Sequence, residues 1–345
     1  MRKFLRPVVL LVVPLLALTA ACGSGSAKES PAAASAQGGV EDGAFPVTIK
    51  NKWGDAVIKE APKRVVVVGL IEQDALLALG VAPVGTTEWF GDKPGALFPW
   101  AKEKLGDAPL PTVLSDKDGI QFEKVAGLAP DLIIGLYSSI TAADYKKLEA
   151  IAPTVAQPAD GSADYSVTWQ TATKTVGQAV GKPKAAAELV AGIEKQFAET
   201  RAAHPEFQGK TGLMASPWEG YFLYGRQDPR SKVLADLGFT LPPEMDKIVG
   251  DKFGANLSAE RIAVVDQQVL VWFPPKDGTA KLKADPLLKN LKARAEGREI
   301  FIEENYDDEF YGATSFVSVL SLPTVLKHLV PKLTAALDGN PTTTA

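Results

Sequence analysis

The chain is poor in the residues that build disulfide frameworks and metal cages. Among 345 residues there are one cysteine, two histidines and three methionines. One cysteine excludes a disulfide framework, and two histidines exclude a site built mainly from imidazoles. The 37 basic residues stand against 41 acidic ones and form no block, so nucleic acid is not an expected partner.

Motifs of common catalytic sites are also missing. The sequence has no Gly-x-Ser-x-Gly elbow, no phosphate-binding loop, no Gly-x-Gly-x-x-Gly fingerprint and no cysteine and histidine pair. Serine or carboxylate catalysis without a motif stays open as an alternative, but no pattern points to it. We therefore predict that the protein is not an enzyme.

Residues 1–21 are typical of a signal peptide. Basic residues at the start precede the apolar run Val8–Leu18, which is too short for a good membrane span. Small residues then lead to Cys22, and the segment Leu18–Cys22 resembles the bacterial lipobox, in which cleavage leaves a lipid-bearing cysteine at the new N-terminus. Loss of the three basic residues of the leader lowers the formal net charge from −4 to −7.

A tether is expected after the cleavage point. Residues 23–44 contain 15 Gly, Ala or Ser among 22, with little to pack, so we assign 22–44 to the lipidated cysteine and a flexible linker. Two or more lipid chains hold a protein firmly on a bilayer. The predicted location is the outer face of the cytoplasmic membrane, with a lipid anchor.

Beyond the tether, short apolar runs alternate with helical patterns, as in α/β folds with mainly parallel sheets. Hydrophobic residues make up 46% of the chain, enough for the cores of about two domains. A helix is predicted over Ile71–Leu79. The predicted strands are Arg64–Gly69, Asp131–Gly135, Thr211–Ala215, Tyr221–Tyr224, Val269–Phe273 and Glu299–Ile302.

Two internal echoes indicate two similar lobes. Glu123–Ile134 and Glu260–Val271 share a helix, turn and strand pattern at identical spacing, and Leu76–Val81 is echoed by Leu234–Phe239. Any two such units look alike, but two echoes in the same order favour a repeated architecture.

One long helix is predicted between the lobes. Lys182–Ala203 carries a helical apolar stripe, and Pro205 ends it. The 21 residues from Pro183 to Ala203 would span roughly 32 Å, so the lobes are expected to move little. We assign 45–182 to the N-terminal lobe, 183–204 to the connecting helix and 205–340 to the C-terminal lobe.

Several segments resemble the ferric-siderophore substrate-binding lipoproteins of ABC importers. The resemblance covers residues 45–335 and is most specific over Tyr137–Val155. The matching segments are Gly135–Tyr145, Leu148, Ile151–Val155, Trp169, Thr175–Gly181, and the pairing of Glu123–Ala126 with Pro130–Ile134. It implies two α/β lobes bridged by a single long helix, a ferric siderophore in the cleft, and delivery to an ABC permease in the cytoplasmic membrane.

A siderophore supplies the oxygen ligands of ferric iron itself. The protein then needs aromatic walls and a few donors rather than metal ligands, so no cofactor or protein-bound metal is expected. Aromatic residues lie near the predicted carboxyl ends of strands, which face the ligand crevice in parallel α/β sheets. The candidate ligand-binding residues are Trp89, Tyr137, Trp218, Tyr224, Arg226, Trp272, Tyr306 and Phe310.

Each candidate has a structural alternative. Core packing is the alternative for the aromatics, and a surface position or a pair with Asp228 is the alternative for Arg226. The acidic run 303–311 is either a solvated loop or a cleft element that favours a cationic chelate. Only seven arginines remain after the leader, which favours a hydroxamate chelate over a highly anionic catecholate.

The resemblance also implies that an acidic residue on each lobe docks on arginines of the permease. Glu103 is the candidate in the N-terminal lobe, and Asp236 and Glu244 compete in the C-terminal lobe. The protein is expected to act as a monomer. Haem or cobalamin capture by the same fold, and a surface lipoprotein without a transport role, remain as alternative functions.

Replacing Trp89 or Trp218 with alanine is expected to weaken chelate binding by more than about tenfold, because large aromatic side chains dominate the energy of contact surfaces. Fluorescence titration of the purified protein with a ferric siderophore measures the affinity. Unchanged affinity in both variants would remove both residues from the site.

Overall fold

The structure is a computed structural model that describes residues 39–88, 90–160 and 163–343. The predicted signal peptide, Cys22, most of the tether and Trp89 lie outside the described residues. No helix in the described ranges is long and apolar enough to cross a membrane.

A hairpin and a five-stranded sheet build the N-terminal lobe. The hairpin consists of β1 (Val47–Asn51) and β2 (Gly54–Ile58), which pair antiparallel. The sheet strands are β3 (Val65–Val67), β4 (Gly85–Glu88), β5 (Thr112–Ser115), β6 (Leu132–Ile134) and β7 (Thr154–Val155). They lie in the order β5, β4, β3, β6, β7 and are all parallel.

Helices cover both faces of this sheet. They are α1 (Glu72–Ala78), α2 (Pro99–Leu105), α3 (Phe122–Gly127), α4 (Ala142–Glu149) and α5 (Trp169–Ala179), with a 3-10 turn at Pro94–Ala96. Successive β3 side chains point to opposite faces, so Val65 and Val67 join one hydrophobic cluster while Val66 and Val68 join another.

The connecting helix is α6 (Pro183–Ala203). Pro183 occupies its first turn, where a missing N–H costs nothing, and the stripe formed by Val190, Ile193 and Phe197 is buried. α5 packs closely on it at Gly177, where an added Cβ would lie 2.2 Å from the Cβ of Ala186.

The first turn of α6 is capped from a distance. The Glu41 carboxylate accepts hydrogen bonds from the Lys184 N–H at 2.9 and 3.1 Å and from the Ala185 N–H at 3.0 Å, while the Glu41 N–H donates to the carbonyl of Gly181. These contacts complement the unpaired N–H groups and the positive end of the helix. The predicted tether therefore extends too far at 44, because Glu41 already belongs to the folded body.

The C-terminal lobe repeats the arrangement with a mixed sheet. Its strands are β8 (Gly212–Ser216), β9 (Tyr221–Tyr224), β10 (Gly254–Leu257), β11 (Val269–Trp272) and β12 (Glu299–Phe301). They lie in the order β10, β9, β8, β11, β12, with β9 antiparallel to both neighbours and β8, β11 and β12 parallel.

Among the described residues, six helices and two 3-10 segments surround that sheet. They are α7 (Pro229–Asp236), α8 (Met245–Ile248), α9 (Thr279–Lys283), α10 (Lys292–Ala295), α11 (Glu309–Ser315) and α12 (Leu322–Leu337), with 3-10 segments at Pro205–Phe207 and Ala259–Val265. The sequence echoes mark equivalent places, since α3 leads into β6 and the 3-10 segment 259–265 leads into β11. The predicted fold class of two α/β lobes joined by one long helix is confirmed.

One hydrophobic cluster passes through both lobes. It draws side chains from both sheets, from α6 and from α12: Val67, Ile134, Val190, Phe197, Val271 and Leu329 are among its buried members. Full burial of an aliphatic side chain contributes about 1.5–3 kcal/mol, so parting the lobes across this cluster is strongly unfavourable.

A buried carboxylate also joins the lobes. Asp74, in α1, accepts a 2.8 Å hydrogen bond from Trp100 Nε1 and another from the hydroxyl of Ser318, which lies before α12 in the C-terminal lobe. Asp74 is 4% exposed. Burial raises the pKa of Asp74 to about 6, against the opposing effect of the two hydrogen bonds.

This raised pKa predicts the sign of a pH effect. Because the folded pKa lies above the unfolded value, the folded state binds more protons between about pH 4 and pH 6, and deprotonation on the way to neutrality lowers the free energy of unfolding. Asp74→Asn removes the ionisation while keeping an acceptor for Trp100. We expect it to raise the free energy of unfolding at about pH 7 by up to roughly 3 kcal/mol, with the gain vanishing near pH 4.

Urea denaturation at several pH values measures the effect. Asp246→Asn, at an exposed carboxylate, is the control and should leave the pH dependence unchanged. A gain for Asp74→Asn that is equal at all pH values would contradict the role assigned to its ionisation.

Candidate functional site

The loops that follow the parallel strands meet between the lobes. Phe90 follows β4 and Tyr137 follows β6 in the N-terminal lobe, and Tyr306 follows β12 in the C-terminal lobe. Because carboxyl ends of parallel strands share one edge of a sheet, these loops face each other across the cleft. We describe the cleft as an outer group of aromatics at its rim and an inner group around one arginine.

The outer group consists of Phe90, Tyr306, Tyr311 and Phe316. The Phe90 ring lies 4.6 Å from that of Tyr306, 6.5 Å from that of Tyr311 and 4.9 Å from that of Phe316, measured between centroids. Lys93 and Asp307, which are close in sequence to Phe90 and Tyr306, form an ion pair between the lobes, with Lys93 Nζ 2.9 Å from Asp307 Oδ1. The rim is thus closed by contacts that cross from one lobe to the other.

The inner group consists of Tyr137, Tyr165, Tyr224, Phe273 and Arg230. The Arg230 guanidinium lies 4.5 Å from the ring centroid of Tyr224 and 5.9 Å from that of Phe273, which are cation–π distances. The ring of Tyr137, from the other lobe, meets that of Tyr165 edge-on at 5.5 Å. Burial raises the pKa of Tyr137, and the charges of Asp228 and Arg230, from the other lobe, have smaller and opposite effects on it.

Arg230 is held by a carboxylate two residues earlier. Asp228 Oδ2 lies 2.8 Å from Arg230 Nη1, and Asp228 Oδ1 accepts a 2.8 Å hydrogen bond from the Arg230 N–H, which caps α7. The two side chains are 2% and 11% exposed. Burial raises the pKa of Asp228, and the adjacent guanidinium opposes that rise.

Tyr137 is positioned by a second buried carboxylate. Glu72, the first residue of α1, accepts a 2.6 Å hydrogen bond from the Tyr137 N–H and a 3.1 Å bond from the Ile71 N–H. A Cβ at position 69 would lie 2.4 Å from both Glu72 carboxylate oxygens, so any residue larger than glycine there would displace this carboxylate. Glu72 therefore ties the loop after β3 to the loop after β6.

The cleft phenols are held in the protonated form. Burial raises the pKa of Tyr311 to about 12 and raises the pKa values of Tyr137, Tyr224 and Tyr306 as well. A protonated phenol is a hydrogen-bond donor with an apolar ring, whereas a hard metal ion prefers phenolate. The cleft chemistry suits an organic surface with oxygen acceptors.

The predicted ligand-binding residues fall into distinct places. Tyr137, Tyr224 and Tyr306 belong to the aromatic groups between the lobes, where Tyr137 is 4% exposed and packs in the hydrophobic core, and Trp89 lies outside the described residues. Trp218 is at the tip of the hairpin between β8 and β9, 58% exposed, with its ring edge-on to Phe222 at 5.6 Å. It forms an exposed aromatic surface beside the strand that carries Tyr224.

Trp272 and Phe310 do not reach the cleft. Trp272 is fully buried with Leu213 and Leu270 on the outer face of the C-terminal sheet, and its Nε1 donates to Glu299. Its neighbour Phe273 points the other way, towards Tyr224, because strand side chains alternate. Phe310 is 8% exposed and packs on His328, whereas the next residue of α11, Tyr311, faces Phe90.

Arg226 also lies elsewhere. It is exposed and makes a forked pair with Asp246, with N–O distances of 3.0 and 3.1 Å. The structure therefore places Arg226 at the surface, and its partner is Asp246 rather than Asp228. Among the acidic docking candidates, Glu103 and Glu244 are exposed, while Asp236 is half-buried at the end of α7, where burial raises its pKa.

Sequence reasoning missed several cleft residues. Arg230 stands four residues after Arg226 in the same loop, and its signal is the Asp-Pro start of a helix, which fixes the local pair with Asp228. Tyr165 lies in a loop without strand pattern. Phe273 was detectable from the period-two alternation, which puts it on the face of Val269 and Val271.

Both histidines are engaged in packing. His204 stacks on Phe207 at 4.9 Å and its Nδ1 lies 2.9 Å from Glu206, and His328 contacts Phe310. Across residues 39–88, 90–160 and 163–343 there is no group of three or more His, Cys, Asp or Glu side chains arranged to hold a metal ion.

Two α/β lobes joined by one helix, with an aromatic cleft between them, are the architecture of a substrate-binding protein. The model of the periplasmic binding protein family matches residues 65–306, and the chain belongs to that family.

Relatives extend the match. The probable siderophore-binding lipoprotein YfiY of Bacillus subtilis is 30% identical over 267 residues, covering 72% of this chain and 78% of YfiY. A periplasmic solute-binding protein from Mycobacterium smegmatis is 36% identical with a TM-score of 0.74, covering 84% of this chain and 98% of its own. The Streptococcus pneumoniae protein PiaA in complex with ferrichrome is 26% identical, also with a TM-score of 0.74, covering 85% and 99%.

The buried pair generates a stability prediction. Arg230→Met leaves the Asp228 carboxylate buried without its counter-charge, so we expect the free energy of unfolding to fall by about 3–5 kcal/mol. Adding Asp228→Asn should return most of that loss. Arg226→Met, which breaks the exposed pair with Asp246, is the matched control and should cost less than about 1 kcal/mol.

Chemical denaturation of the four proteins measures these differences. Equal losses for Arg230→Met and Arg226→Met would contradict the distinction drawn between the two pairs.

Proposed function

We propose that this protein binds a ferric siderophore outside the cytoplasm and delivers it to an ABC permease for iron uptake. The observation that carries the proposal is the inner group, in which the Arg230 guanidinium lies against the rings of Tyr224 and Phe273 and the phenol of Tyr137 comes from the other lobe. This surface offers apolar rings and hydrogen-bond donors to an organic chelate, while the chelate supplies the oxygen ligands of the iron.

A hydroxamate chelate suits these donors best. Its oxygens accept hydrogen bonds, and the Arg230 guanidinium makes one side-chain hydrogen bond within the described residues, to Asp228, which leaves further N–H donors for a ligand. The likeness to PiaA, whose structure contains the hydroxamate chelate ferrichrome, supports this choice. Tyr137, Tyr224, Tyr306 and Arg230 are the proposed contacts, together with Trp89 and Trp218, which the sequence predicts.

The proposed setting follows from the leader and the relatives. YfiY is described as a lipoprotein, and PiaA as an iron uptake ABC transporter substrate-binding protein, in keeping with lipidation of Cys22 and release of cargo to a permease. We propose that the protein acts as a monomer with no catalytic activity. Exposed Glu103 and Glu244 are the proposed docking residues, one on each lobe.

Titration of the purified body, residues 39–345, separates the candidate ligands. Ferrichrome and ferrioxamine are expected to quench tryptophan fluorescence until the site is saturated, because a bound iron chelate takes up the excitation energy of tryptophans near the cleft. Haem and cobalamin are the comparison ligands. Saturable binding of either one, with no response to any ferric chelate, would overturn the proposal.

A further inference from the structure

Arg230 and Asp228 form a local charge pair inside the cleft. The pair spans two residues of one helix start, with Pro229 between them, so it is complete within the C-terminal lobe. The guanidinium faces Tyr224 and Phe273, and its charge also acts on Tyr137 and Tyr311. Arg230, the cation among the proposed ligand contacts, is therefore already paired with the Asp228 carboxylate before a ligand binds.

The surroundings of the pair are acidic rather than basic. Glu303, Glu304, Asp307, Asp308 and Glu309 lie in the segment that carries Tyr306 and leads into α11. Lys93, the basic residue at the rim, is paired with Asp307, and the charge of Lys232 is opposed by the carboxylates of Asp228 and Asp236. With its arginine neutralised, the cleft presents no net positive charge to a ligand.

We propose that Asp228 sets the charge selectivity of the cleft by neutralising Arg230, so that ferric chelates with a neutral or cationic iron core bind and those with an anionic core are rejected. The inference rests on the proposed function. An anionic core would have to displace the Asp228 carboxylate from the guanidinium, or bind Arg230 while being repelled by that carboxylate. Both are unfavourable at a site sheltered from water.

The test compares ligands that differ in core charge. Ferrichrome has a neutral trihydroxamate core, and ferric enterobactin has a trianionic tricatecholate core of similar octahedral geometry. We expect the unmodified protein to bind ferrichrome at least tenfold more tightly than ferric enterobactin. Equal affinities would overturn the inference, and this arm needs no variant.

Asp228→Asn then unmasks the arginine while keeping an oxygen that caps α7. We expect affinity for ferric enterobactin to rise at least tenfold and to fall again with added salt, while affinity for ferrichrome changes less. Asp246→Asn, which unpairs the exposed Arg226, is the matched control and should leave both affinities unchanged. The double variant Asp228→Asn with Arg230→Gln should lose the gain.

The outcomes separate this inference from the function on which it rests. Failure of the unmodified protein to bind any ferric chelate would refute the proposed function. Binding of ferrichrome with no change of selectivity in a folded Asp228→Asn protein would refute the role of Asp228 alone. Thermal unfolding with and without each chelate checks that the variants are folded and reports binding independently of fluorescence.

Discussion

The hydrophobic core that passes from the N-terminal sheet through α6 to α12 fixes how the two lobes face each other. Ile134, Phe197 and Leu329 belong to one buried cluster, although they come from the first lobe, the connecting helix and the second lobe. Interiors of this kind are close-packed and deform little. The relative orientation of the two lobes is consequently nearly fixed, while the rim that a ligand must pass is closed by side-chain contacts between Phe90 and the aromatic residues of the other lobe.

Burial at the cleft has a chemical consequence beyond packing. Burial raises the pKa values of the phenols, so they stay protonated. The buried carboxylates of Glu72 and Asp228 accept hydrogen bonds from backbone N–H groups and, for Asp228, from the Arg230 guanidinium. The guanidinium itself lies against an aromatic ring. A surface made this way recognises the outside of a chelate. The same residues would make a poor cage for a naked ferric ion, because each oxygen is either protonated or already accepting a hydrogen bond.

The fold was largely readable from the sequence, and the cleft only in part. Buried strands such as Val65–Val67 and Val269–Trp272 are recognisable in the sequence as apolar runs. The repeated helix, turn and strand pattern predicts two similar lobes. The face to which an individual side chain points is harder to predict from the sequence. Trp272 and Phe273 differ by one position yet point to opposite faces, and Phe310 and Tyr311 differ by one step around a helix. Arg230 was missed because Arg226 is equally close to Asp228 in the sequence. The structure shows that Arg230 pairs with Asp228 and that Arg226 pairs with Asp246.

The cap that Glu41 places on α6 determines where mechanical load from an attached membrane would enter the protein. Any pull transmitted along the preceding chain reaches the first turn of the connecting helix, through the Lys184 and Ala185 N–H groups, before it reaches β1. That helix carries none of the cleft residues. With the anchor proposed at Cys22, such a load would reach the connecting helix rather than the loops that form the groove between the halves.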